Sequence, residues 1–103
     1  MRHAWVMKLK PGHEAEYKRK HDEIWPEMVE VLKHQGIRNY TIYRHGLTLF
    51  AYYEKDDNAS PDPGGPPDPV IQRWWAWMAP HMETRAEYNA PVTEPLEEVF
   101  RLD

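Results

Sequence analysis

Residues 17–32 read Y-K-R-K-H-D-E-I-W-P-E-M-V-E-V-L, and the rest of the chain is organised around them. At about 100° per residue, Tyr17, His21, Ile24, Met28, Val31 and Leu32 fall on one narrow stripe. Lys18, Arg19, Asp22, Glu23, Glu27, Glu30 and Lys33 cover the remainder. This is an amphipathic helix with a histidine in the middle of its apolar face. Tyr17 and His21 lie one turn apart, so both side chains can converge on one small molecule. Pro26 removes the amide that would bond the Asp22 carbonyl and crowds the preceding turn, so the helix is expected to bend or loosen just after His21.

Upstream, residues 2–10 alternate, with His3, Trp5, Met7 and Leu9 on one face and Ala4 and Val6 on the other, which reads as a strand ended by Pro11-Gly12. The helix then occupies residues 12–35 and closes at Gly36, with Lys33 and His34 in its last turn, where positive charge suits the helix dipole. Two extended runs follow, I-R-N-Y-T-I-Y-R (37–44) and L-T-L-F-A-Y-Y-E (47–54), joined by His45-Gly46 as an antiparallel hairpin. Residues 55–68 are rich in proline and glycine, lack apolar periodicity and read as a mobile loop. Asp68 as N-cap and Pro69 at the first helical position open a second helix reaching about Met82, with Pro80 fraying its end. L-E-E-V-F-R-L (96–102) reads as a final strand.

The order strand, helix, strand, strand, helix, strand predicts an α+β, ferredoxin-like split βαβ fold. Two helices would cover one face of an antiparallel four-stranded sheet. The opposite face carries apolar and aromatic side chains too, so pairing of two sheets in a homodimer is the expected way to cover it.

Composition narrows the function classes. A chain of 103 residues forms one domain, spanning 1–103, with little stability to spare, and association would help it. Aromatics make up 13%, more than a small core needs, so some are expected at a ligand site or interface. The net charge is −4 with basic residues dispersed among acids, which argues against nucleic acid as a partner. With no cysteine, thiolate chemistry and Cys-ligated metals are excluded. No apolar run suits a membrane span or a signal peptide, and a cytoplasmic protein is the expectation.

Three places can carry chemistry. His21 is the side chain best matched to proton transfer at neutral pH, and the Tyr17 hydroxyl beside it can donate, accept or position; the plainer reading is a buried, hydrogen-bonded histidine. Trp74 and Trp75, after Gln72-Arg73, point about 100° apart on the second helix, so one indole can enter the core while the other faces a cavity. Flat indole faces suit the C–H surface of a sugar, although pattern alone favours core packing. Tyr40 in the hairpin can meet His21 from the sheet side if it points towards the helices, and Tyr43, Tyr52 and Tyr53 accompany it. Six histidines (3, 13, 21, 34, 45 and 81) never stand at i, i+4, so no metal site is expected.

At these positions the chain resembles the L-rhamnose mutarotase family. The matching pieces are Y-x-x-x-H-x-x-I-W-P-E (17–27), N-Y-x-I-Y (39–43), Q-R-W-W (72–75) and E-V-F-x-L (98–102), which together extend over nearly the whole chain. The resemblance implies interconversion of the α and β anomers of L-rhamnose by a homodimer that uses no cofactor. It further implies His21 as the acid/base residue, with Tyr17, Tyr40, Trp74 and Trp75 forming the sugar site. The chain departs from the family's pattern at 60–68, where a Pro/Gly loop replaces a helical segment. Two rival readings share the fold: a cofactor-independent or haem-degrading oxygenase, and a non-catalytic sugar-binding domain.

Overall fold

The computed structural model describes residues 1–56 and 66–103. Its elements are β1 (Arg2–Lys8), α1 (Glu14–Asp22), α2 (Pro26–His34), β2 (Ile37–His45), β3 (Thr48–Lys55), α3 (Pro69–Met78) with a 3-10 turn at Ala79–His81, and β4 (Glu94–Pro95). The sheet is antiparallel in the order β2-β3-β1-β4, the ferredoxin-like arrangement expected from the order of elements. Residues 57–65, the centre of the expected Pro/Gly loop, lie outside the described residues.

The expected helix over 12–35 is two helices, not one bent helix. α1 closes where Glu23 N–H donates to the Arg19 carbonyl and Ile24 N–H to that of His21, at 3.1 and 3.2 Å. Trp25 is extended at φ −65°, ψ 136°, the conformation a following proline imposes, and Pro26 starts α2 in the first turn, where a missing amide costs nothing. His21 is thereby left in the terminal turn of α1.

β2 and β3 meet in a tight hairpin in which His45 faces Thr48 and Gly46 takes φ +60°, a left-handed value that costs a Cβ-free residue little. Between Arg38 and Thr41 the register slips, so that Asn39 and Tyr40 together stand opposite Tyr53; Asn39, at φ +54°, absorbs the extra residue. α3 starts as expected, with the Asp68 carboxylate accepting the Val70 amide at 2.8 Å. It ends at Met78, and the 3-10 turn through Pro80 replaces the last turn of the expected helix.

The core lies between the sheet and the helices. Met7, Leu9, Leu49 and Ala51 come from the sheet side, Tyr17 and Met28 from α1 and α2, and Ile71, Trp74 and Met78 from α3. Full burial of an aliphatic or aromatic side chain is worth about 1.5–3 kcal/mol before entropy, so this layer sets the position of both helical arms against β1 and β3.

The expected final strand is overturned. β4 holds only Glu94 and Pro95, paired with Val6 and Trp5, and the Leu96 amide still reaches the Ala4 carbonyl at 2.9 Å. Pro95 offers the ladder no N–H, and beyond Leu96 no strand hydrogen bonds continue among the described residues. Val99, Phe100 and Leu102 are 78–88% exposed, so little packing among the described residues holds these apolar side chains in a strand. Arg2 and Glu98 form an ion pair at the start of this tail. On the sheet face turned away from the helices, Tyr43, Phe50 and Val6 form a row across three strands, with Tyr43 67% and Phe50 40% exposed.

Candidate active site

His21 sits where α1 ends, and its Nδ1 is 3.0 Å from the Tyr17 carbonyl. A carbonyl can only accept, so Nδ1 carries the proton and donates, which leaves Nε2 with a free lone pair in the neutral ring. The imidazole lies 4.3 Å from the Tyr17 ring and meets Trp74 edge-to-face at 5.3 Å. Burial lowers its pKa below the ordinary value, outweighing the opposing pull of the Tyr17 hydrogen bond and of Asp22. Near neutral pH His21 is therefore a neutral base.

The tyrosines are tuned the other way. Tyr17 is buried, and the loss of water, reinforced by Tyr40 nearby, raises its pKa well above the usual phenol range. Tyr40 is two-fifths exposed along its length, but protein crowds the phenol on the cavity side, and this desolvation together with Tyr53 also raises its pKa. Its ring packs edgewise on Trp5 at 5.8 Å and on Tyr53 at 5.5 Å. Both phenols stay protonated and can serve as stable hydrogen-bond donors.

The aromatic wall comes from α3. Trp74 is buried among His21, Trp25 and Trp77, the last two at 5.2 and 5.4 Å from it, while Trp75 is half-buried. Lys20, next to His21, is also buried, donates to the Trp77 carbonyl at 2.7 Å and lies 4.3 Å from the Trp77 ring centre, which pins α1 to α3.

Tyr17, His21, Tyr40, Trp74 and Trp75 all line a single cavity of about 530 Å³, a size that suits a small ligand. A neighbouring hollow of about 710 Å³ towards α2 and β2 shares Tyr17, His21, Tyr40 and Trp74 but not Trp75. The first cavity is the candidate site because only there do the sequence-derived residues meet. Among the described residues the hydroxyls of Tyr17 and Tyr40 and the Nε2 of His21 have no protein hydrogen-bond partner, and none of the three is sealed from the cavity. They are arranged for something other than the fold.

Sequence reading missed two features. His3 and Tyr53 also line this cavity; the sequence marks Tyr53 only as a companion of Tyr40, and it is the pairing of β1 with β3, outside the hairpin, that sets it opposite His3. His13 and His81, 68 residues apart, bring their Nδ1 atoms within 2.8 Å, a contact no local spacing reveals. Among the described residues no group of three or more His, Asp or Glu side chains could hold a metal ion. No helix there is long and apolar enough to cross a membrane.

Comparison with known proteins identifies a family. The family model described as L-rhamnose mutarotase matches residues 2–102. The L-rhamnose mutarotase of Brucella anthropi is 45% identical over 98% of this chain and 95% of its own length, and that of Listeria monocytogenes (serovar 1/2a) is 46% identical over 96% and 95%. The crystal structure of an L-rhamnose mutarotase from Formosa agariphila superposes with a TM-score of 0.87 at 36% identity, covering 100% of this chain and 99% of that one. A match from end to end, on a fold whose helices and sheet bring a histidine, two tyrosines and two tryptophans to one cavity, places this chain in the L-rhamnose mutarotase family.

Proposed function

We propose that this protein is an L-rhamnose mutarotase, an isomerase that interconverts the α and β anomers of L-rhamnose, with His21 as its acid/base residue. The observation that carries the reading is the His21 tautomer: Nδ1 is committed to the Tyr17 carbonyl, and Nε2 is free to take a proton inside the cavity. Mutarotation needs one proton removed from the anomeric hydroxyl O1 and one delivered to the ring oxygen O5. Both oxygens are bonded to C1, so one imidazole can serve both. Nε2 takes the O1 proton as the C1–O5 bond breaks and C1=O1 forms, and the imidazolium returns that proton to O5. Rotation about C1–C2 presents the other face of the aldehyde, and the same transfers in reverse close the ring. Nothing is consumed and no redox partner enters.

Tyr17 and Tyr40 take the role of hydrogen-bond donors that orient the sugar, and Trp74 and Trp75 pack on its apolar C–H surface. The whole chain, 1–103, serves as one such unit. Its working form is a homodimer, a reading supported by the uncovered Tyr43–Phe50–Val6 row and by the exposed apolar tail at Val99, Phe100 and Leu102. The test is anomer exchange of L-rhamnose followed by saturation-difference NMR with wild type and His21→Asn. Exchange above the uncatalysed rate that disappears in the folded variant supports the assignment; full activity in the variant ends it.

A further inference from the structure

The cavity has a second polar end that the catalytic reading leaves idle. His3 and Tyr53 are directly paired across β1 and β3, their rings meet edgewise at 5.3 Å, and both line the cavity that holds His21. Among the described residues neither side chain has a hydrogen-bond partner, in contrast with the adjacent Tyr52, whose hydroxyl donates to Glu54 at 3.1 Å. Tyr53 is also continuous with the proposed catalytic end. Its ring lies 5.5 Å from that of Tyr40, Tyr40 acts electrostatically on Tyr17, and Tyr17 stacks on His21 at 4.3 Å. Trp5, 5.1 Å from Tyr53, packs against the same ring and holds it in place.

We propose that Tyr53 and His3 form the specificity end of the sugar site, binding ring hydroxyls on the side of the pyranose away from the anomeric carbon. The inference rests on the mutarotase reading for its orientation: with C1 at His21, the remaining hydroxyls extend along the cavity towards the sheet. A phenol and an imidazole in edge contact offer one donor and one group that either donates or accepts, a combination suited to two neighbouring sugar hydroxyls. A site that hydrogen-bonds a particular hydroxyl discriminates against a sugar that lacks it or presents it in the wrong direction, because the protein groups are then left unpaired. An apolar wall at this position would tolerate either configuration.

The experiment combines anomer exchange with titration of tryptophan fluorescence, on L-rhamnose and on L-fucose, a 6-deoxy hexose of inverted configuration at two ring carbons. Tyr53→Phe and His3→Ala should each weaken L-rhamnose binding about 3–10-fold, seen in Kd and KM more than in kcat, and should narrow the preference over L-fucose by a similar factor. The double variant should lose less than the product of the two single losses, because the side chains act as a unit. Tyr52→Phe, on the opposite sheet face with its hydroxyl already engaged, should match wild type. Wild-type Kd, KM and sugar preference in both single variants would overturn the proposal. If wild type binds sugar without exchanging its anomers, the mutarotase reading fails while the His3–Tyr53 pair is still judged on Kd. If wild type binds neither sugar, both fall.

Discussion

His21 gives its Nδ1 hydrogen to the carbonyl of Tyr17, the residue whose ring it lies against, with 3.0 Å between the hydrogen-bonding atoms and 4.3 Å between ring centres. One turn of helix thus sets both the tautomer and the tilt of the proposed base. Positioned acid/base groups contribute about 10²–10⁴-fold, so His21→Ala and His21→Asn should lose exchange activity by that range. Urea unfolding should show both variants folded, separating lost chemistry from lost structure.

The pH profile follows from the same group. Burial holds the His21 pKa below its ordinary value, so the neutral base persists into mildly acidic solution and kcat/KM should fall only as the pH drops through that lowered value. The raised pKa values of Tyr17 and Tyr40 keep their hydroxyls protonated, and no alkaline loss from them is expected at or below their usual value of about 10. Exchange rates measured across this range with saturating and sub-saturating sugar test both limbs.

Trp74 and Trp75 should separate in their effects. Trp74 is 6% exposed and wedged among His21, Trp25 and Trp77, so Trp74→Ala should cost about 3–5 kcal/mol of stability. Trp75 is half-buried on the cavity wall, and Trp75→Ala should weaken sugar binding with a smaller loss of stability. Equal stability losses in denaturant titrations would contradict this division.

The His13–His81 contact predicts sensitivity to acid. Two Nδ1 atoms at 2.8 Å can hold one proton between them, not two. His81 is held below its ordinary pKa first by burial and then by Lys20 and His13, with Arg19 adding to them and Glu16 opposing. The unfolded chain binds the proton at higher pH than the folded one, so stability should fall as the pH drops below about 6.5 and be fully present above it. His21 acts with the same sign. His81→Gln should therefore flatten the dependence of Tm on pH between about 5 and 7 in part, and combining it with His21→Asn should flatten it further.

Deleting residues 97–103 removes Val99, Phe100 and Leu102, which are largely exposed in a single chain. If they cover a second copy, sedimentation equilibrium should show a dimeric wild type and a weakened or monomeric truncation. An unchanged mass would dissociate the tail from assembly.

Much of the fold was legible because periodicity reports which face is buried: the first strand, the hairpin and the capped start of α3 all follow from local patterns. Pro26 announced an interruption, but whether a proline kinks a helix or begins a new one depends on the angle the two halves need to reach the sheet, which is a tertiary demand. The tail at 96–102 alternates like a strand and is not one, since alternation measures only the ability to pack. His21, Tyr17, Tyr40, Trp74 and Trp75, singled out by their motifs, line one cavity. The pairing of His3 with Tyr53 and the contact of His13 with His81 were not foreseen, because contacts between distant segments leave no mark in short-range spacing.

The slip at Asn39 gives β2 a counting rule. Ile37, Tyr40 and Ile42 all line the cavity, a spacing of three and then two that no uninterrupted strand can deliver. The extra residue resets the parity of the strand, so that Arg38 faces outward to Glu54 and Asp56 while Tyr40 faces the cavity. A strand that kept Asn39 but lost the bulge would therefore be frameshifted in space: with Tyr40 held in place, Arg38 would turn inward and Ile37 out, whereas deleting Asn39 would leave Ile37 and Tyr40 two residues apart and on the same wall.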